Sequence, residues 1–147
     1  MKKYLYLLVC LLVSCAPQLL EEDPADNTTC PMRVYTRSEI NINYPLTLYA
    51  FDSETGKFAA SATQHSEDED VVTLDLPKGK YLVVALAGTD RCEVPTSPSM
   101  TDVISLPATK VLSSPLQMGS AAVYVAENTT VNITLYNQVA AVELTLT

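Results

Sequence analysis

Seven consecutive residues, Tyr81-Leu82-Val83-Val84-Ala85-Leu86-Ala87, are apolar without a break. A strand with one wet face alternates apolar and polar side chains, whereas a strand covered on both faces reads as a continuous apolar run. The run is therefore expected in the middle of a sheet, as the centre of the core. Deleting one of its large side chains should cost about 2–5 kcal/mol. Just before it, residues 71–76 place Val72, Leu74 and Leu76 on one face, and Pro77-Lys78-Gly79 carries turn chemistry. Together these predict a hairpin of 71–76 with 80–87.

The rest of the chain repeats the period-two pattern in short pieces. Residues 32–36 form a first strand, with Arg33, Tyr35 and Arg37 on one face. Residues 46–51 alternate clearly, 52–57 supply a turn, and Phe58 begins a weak return. Residues 64–70 are a polar, acidic loop. Beyond Gly88 the chain is broken by Pro95, Pro98, Pro107 and Pro115, with room for an edge strand at 103–106. Strands follow at 121–126 and 130–136, and 139–147 makes a last one after a break at Asn137-Gln138. Trp is absent, Phe is scarce, and Tyr, Thr, Val and Leu dominate the ordered part, a composition that favours strands. No stretch has the spacing and length of an amphipathic helix. The expectation is an all-β domain, a two-sheet Greek-key sandwich of about seven strands.

The N-terminus has a different character. Lys2 and Lys3 precede an apolar run at 4–13, too short to span a bilayer, which takes about 20 apolar residues. A charged start and a short apolar core make residues 1–14 a secretory signal peptide. Leu12-Val13-Ser14-Cys15 resembles the lipobox of bacterial lipoproteins. In that family the peptidase cuts before the cysteine, which carries a diacylglycerol on sulfur and usually an acyl chain on its amine. The resemblance makes Cys15 the first mature residue and the attachment to an outer membrane, since two or three chains hold stably where one does not.

Residues 15–29 read as an acidic, disordered tether holding Pro17, Pro24, Glu21, Glu22, Asp23 and Asp26. Fully stretched, they would reach about 45–50 Å. The acids are similar to surface-export signals of Bacteroidales-type lipoproteins; a plain solvated linker fits them equally. Residues 30–147 then form one β-sandwich domain. The formal charge of the 147-residue chain is -8, which excludes nucleic acid and anionic lipid surfaces as partners.

Residues able to carry chemistry are few. His65 is the only histidine and sits beside the acidic loop, with nothing to make it a base for a nucleophile. The four glycines form no phosphate-cradling motif. Asp52-Ser53-Glu54-Thr55-Gly56 and Glu67-Asp68-Glu69-Asp70 lack the spacing of a calcium loop. No enzyme activity, cofactor or metal is expected. Cys30 and Cys92 belong to an exported, oxidising setting. If the first and central strands lay antiparallel in one sheet, the start of one would meet the end of the other and a disulfide would close, worth roughly 4 kcal/mol. The alternative is two free thiols.

Several segments in order resemble the fimbrillin-A-associated anchor and minor-subunit lipoproteins (FimB-type) of Bacteroidales. They are Cys30-Pro31, the run from Tyr44-Pro45-Leu46 to Phe51-Asp52, and Leu74-Asp75-Leu76-Pro77-Lys78-Gly79-Lys80-Tyr81 leading into Ala85-Leu86-Ala87-Gly88. Pro115-Leu116-Gln117-Met118-Gly119 and Asn137-Gln138-Val139-Ala140-Ala141-Val142-Glu143-Leu144 complete the set. The resemblance implies a transthyretin-like N-terminal domain without catalysis, exposed at the cell surface. Its role would be anchoring or limiting a fimbria, and its partners would be fimbrial subunits joined by strand addition. Family members usually continue into a second β-sandwich; residues up to Thr147 are expected to hold only the first.

Two other functions compete. One is a polymerising fimbrillin activated by cleavage after Arg37, which would free the groove of the first strand for a neighbour's strand. The other is a surface ligand- or glycan-binding lipoprotein; such binders use exposed aromatics, and several tyrosines here fall within predicted strands. The lipobox reading makes a direct prediction. A palmitate analogue fed to expressing cells should label the protein, and Cys15→Ala should abolish both label and membrane fractionation.

Overall fold

The computed structural model describes residues 28–69, 71–102, 105, 112 and 114–138. Within them every element is a strand: β1 (Thr29–Ser38), β2 (Leu46–Asp52), β3 (Phe58–Gln64), β4 (Val72–Pro77), β5 (Gly79–Ala87), β6 (Gln117–Val125) and β7 (Thr129–Asn137). Of the expected strands, 139–147 and all of 103–106 except Ser105 lie outside the described residues. Ser105 makes an isolated bridge with Glu93.

The seven strands form one mixed sheet in the order β3-β2-β5-β6-β7-β1-β4. Every adjacent pair is antiparallel except β1 and β7, which run parallel. The two ends of the order, β3 and β4, lie against each other, so the sheet is nearly closed. The all-β expectation of about seven strands holds, and the strands follow one continuous order. It is joined by a short β6–β7 ladder, Gln117 opposite Asn137 and Met118 opposite Tyr136.

Alternation decides which side chains fill the interior. Met32 and Val34 of β1, Leu46 and Leu48 of β2, Leu74 and Leu76 of β4, Val83 and Ala85 of β5 and Ile133 and Leu135 of β7 all point into one core. As its sequence requires, β5 lies inside the sheet, between β2 and β6. Its other face is covered too. Leu82, Val84 and Leu86 meet Tyr49 and Phe51 of β2 and lie under Val94, Pro95, Pro98 and Met100 of the following loop, around a cavity of about 200 Å³. A run apolar on both faces is thus apolar for two separate reasons.

One expected pairing is corrected. β4 and β5 are not a hairpin: β4 pairs with β1, and β5 with β2 and β6. Tight two-residue hairpin turns require positive φ, and the positive-φ residues described are Gly56, Gly88 and Asn128. Gly79 is not among them, so Pro77-Lys78-Gly79 carries the chain across from one end of the sheet to its middle. True reversals occur where the backbone allows them. Gly56 (φ 68°) serves β2–β3, where Asp52 Oδ1 accepts from the Glu54 and Thr55 amides. Asn128 (φ 55°) serves β6–β7, where the Thr129 hydroxyl donates to the Ala126 carbonyl.

β1 runs longer than the expected 32–36, because Cys30 continues its inward row. Pro31 is tolerated there since the ladder to β7 begins only at Met32, leaving Pro31 with β4 alone beside it. Gly119 has the opposite role, allowing β6 to approach β7. A Cβ there would collide with the Thr134 carbonyl oxygen and stand 2.8 Å from Ile133 Cγ2. Gly119→Ala should therefore force the joint apart and destabilise the domain by about 1–3 kcal/mol, read as a lower midpoint in urea unfolding.

Candidate functional site

β1 carries most of the residues singled out in the sequence, and its place in the sheet decides what they can do. It lies between β7 and β4, with Met32–Ser38 registered against Thr129–Leu135 and Thr29–Val34 against Pro77–Val72. Arg37 stands opposite Thr134, and its Nε donates to Thr134 Oγ1 at 3.0 Å. The Arg37–Ser38 peptide thus belongs to the parallel ladder, not to a free loop end.

Beyond Ser38 the chain crosses one end of the sheet to reach β2, and a buried amide fixes that crossing. Gln117 is fully buried. Its Oε1 accepts from the Asn43 amide at 2.9 Å, while Nε2 donates to Ser38 Oγ at 3.3 Å and to the Asn41 carbonyl at 3.2 Å. Asn43 extends the network: its Nδ2 donates to the Pro115 carbonyl at 3.0 Å and its own carbonyl accepts from Gly88 N at 2.8 Å. Gly88 has φ 74°, and a Cβ there would run into the Pro115 carbonyl. A buried amide left unpaired is costly; this one is satisfied by backbone from the β1–β2 connection.

Next to this network is a polar recess of about 480 Å³ lined by Arg37, Ser38, Ile40, Asn41, Ile42, Tyr44 and Glu67. Burial, then the Glu67 and Glu69 carboxylates, push the Tyr44 phenol above its ordinary range. Glu69 folds the acidic loop back on itself, its carbonyl accepting from Gln64 Nε2 and its carboxylate from the His65 amide at 2.7 Å. His65 itself is exposed. Among the described residues no three His, Cys, Asp or Glu side chains are grouped to hold a metal ion.

Cys30 and Cys92 are free thiols. Cys30 is buried opposite Leu76 near the start of β1. Cys92 sits in the loop after β5, its amide on the Thr89 carbonyl and its thiol pushed up by burial and then by the charge of Asp90. The antiparallel juxtaposition that would join them is not found: β6 and β7 separate β1 from β5. The successive pairings make those two strands parallel, so the end of β1, not its start, meets the end of β5. Gln117 marks that meeting, bonded to Ser38 and paired with Ala87. Cys15 lies outside the described residues. Gln117 and Asn43 went unread in the sequence; the inward phase of β6 would have nominated Gln117 had that strand been started early enough.

Residues 33–147 match the family of fimbrillin-A associated anchor proteins Mfa1 and Mfa2. No curated protein sequence matches the chain. Among solved structures, a candidate polysaccharide-binding protein from Bacteroides thetaiotaomicron aligns with a TM-score of 0.57 at 19% identity, over 72% of this chain and 46% of that one. The fimbrial anchor protein Mfa2 from Porphyromonas gingivalis aligns at 0.48 and 16%, over 72% and 50%. The tip fimbrial protein Mfa3 of the same organism aligns at 0.47 and 15%, over 74% and 48%. The chain therefore spans about half the length of each, and at these identities the likeness concerns the fold alone.

The buried amide yields a test. Gln117→Leu keeps the volume but strands the Asn43 N–H, and should cost about 1–3 kcal/mol. Hydrogen exchange should quicken at Asn43 while the β2–β5 ladder stays protected.

Proposed function

Because the chain belongs to the family of fimbrillin-A associated anchor proteins, we propose that it is an anchor or accessory subunit of a surface fimbria, held to the outer membrane by lipid on Cys15. Its sheet works as a Greek-key sandwich of transthyretin type, with β3-β2-β5-β6 as one layer and β7-β1-β4 as the other. Partner subunits join through strand addition at positions other than β1.

The observation that carries the anchor reading, over that of a polymerising fimbrillin, is the double pairing of β1. Its backbone is laddered to β4 from Thr29 to Val34 and to β7 from Met32 to Ser38, so Arg37 is held by β7, with its side chain tied to Thr134. A trypsin-like protease needs an exposed, extended segment that it can draw into its own cleft, and Arg37 would first have to leave the ladder. Were β1 removed, β7 and β4 would both present bare edges beside an apolar groove, the situation that strand addition resolves. With β1 in place the lipid stays covalently continuous with the domain.

Intact-mass and N-terminal analysis of the protein from its native envelope tests this. The expected species begins at lipidated Cys15 and retains β1. A dominant species beginning at Ser38 would replace the anchor reading with that of a polymerising subunit.

A further inference from the structure

The outer face of β1 and β7 carries a second set of residues, unrelated to strand addition. Arg33, Tyr35 and Arg37 point outward in register with Thr130, Asn132 and Thr134, and Tyr136 follows on β7. Tyr35 is 44% and Tyr136 60% exposed. The bond from Arg37 Nε to Thr134 Oγ1 fixes the guanidinium and leaves its two terminal nitrogens as a fork, the geometry that takes a carboxylate through paired hydrogen bonds.

Charge and shape single this face out. In a chain of net charge -8, no outward position of β1 or β7 is acidic. Among the described residues neither Arg33 nor Arg37 has an ion-pair partner; Glu67 lines the recess beyond Arg37 without reaching ion-pair distance. Asp75 of β4 faces outward beside Pro31, at the far end from Arg37. Along β6 and β7 lies a surface groove of about 420 Å³, lined in part by Ser120, Asn132, Tyr136, Gln138 and Thr134, the residue that holds Arg37. That volume lies within the range of small-ligand clefts, roughly 300–1,000 Å³.

We propose that this face binds a carboxylated glycan, with the Arg37 fork on a uronate carboxylate. Asn132, Thr134 and Gln138 take hydroxyls, and the Tyr35 and Tyr136 rings lie against the C–H faces of the sugars. A peptide fits less well on β1, which is laddered to β4 on one side and to β7 on the other and offers no free backbone edge. Arg37 stands four residues on from Arg33, about 13 Å along the strand, so a polymer with repeated uronates meets both. The placement of tyrosines in strands, which argued against glycan binding in the sequence, loses its force: on outward positions a strand displays them.

The experiment uses the mature lipoprotein in detergent, with β1 verified by mass, titrated calorimetrically with tetragalacturonate. Its methyl-esterified form and tetraglutamate serve as comparisons. Binding of tetragalacturonate alone is expected, at least tenfold weaker in Arg37→Gln and in Tyr136→Ala and unchanged in Arg91→Gln. Asn132→Asp, which puts a carboxylate that repels the uronate on the same outward face opposite Tyr35, should weaken it similarly and guards against a folding artefact at Arg37. Equal binding of the esterified sugar, equal binding of tetraglutamate, full affinity in Arg37→Gln, or no binding at all would each overturn the proposal. None of these outcomes bears on the fimbrial role, which rests on the family and on β1.

Discussion

The close approach of β6 to β7 at Gly119 is the constraint on which this fold turns. β3, β2, β5 and β6 make an ordinary antiparallel group, and β7, β1 and β4 a smaller mixed one. A side chain at residue 119 would push the Thr134 carbonyl and Ile133 away. With only hydrogen there, β6 and β7 come together in one continuous sheet, and the inward rows of its strands close round a single core. Gln117, two residues earlier on the same inward row, then completes the end of that core with a polar plug rather than an apolar one.

How far this was legible depended on whether a feature was local. The alternation of Leu46-Thr47-Leu48-Tyr49 and the unbroken run of β5 report burial directly, and burial reports position in the sheet. Pairing is not local. Nothing within Pro77-Lys78-Gly79 states that β4 will choose β1 over β5; that choice is settled by β1, more than thirty residues earlier, and by the absence of a left-handed residue at the turn. The expected Cys30–Cys92 juxtaposition failed for the same reason, since it presupposed which strands are neighbours. The Gln117–Asn43 network was hidden because one amide at the start of a strand reads like loop.

Arg37 illustrates why a candidate site must be judged by its backbone as well as its side chain. In sequence it is an arginine followed by a polar stretch, open to a protease. In the fold its backbone is laddered to β7 and its guanidinium is pinned along one edge by a threonine hydroxyl. The same arrangement that shelters the peptide bond leaves the far side of the guanidinium facing solvent, turning a cleavage candidate into a recognition candidate.

The double pairing of β1 also bears on mechanics. A pull entering through the N-terminus of β1 runs along its own axis. The ladders to β7 and β4 lie across that axis, so they are loaded in shear. Shear strains many hydrogen bonds at once, where peeling a strand from an edge would break them one by one, and so yields at far greater force. An interior first strand therefore resists a pull on its N-terminus far better than an edge strand would.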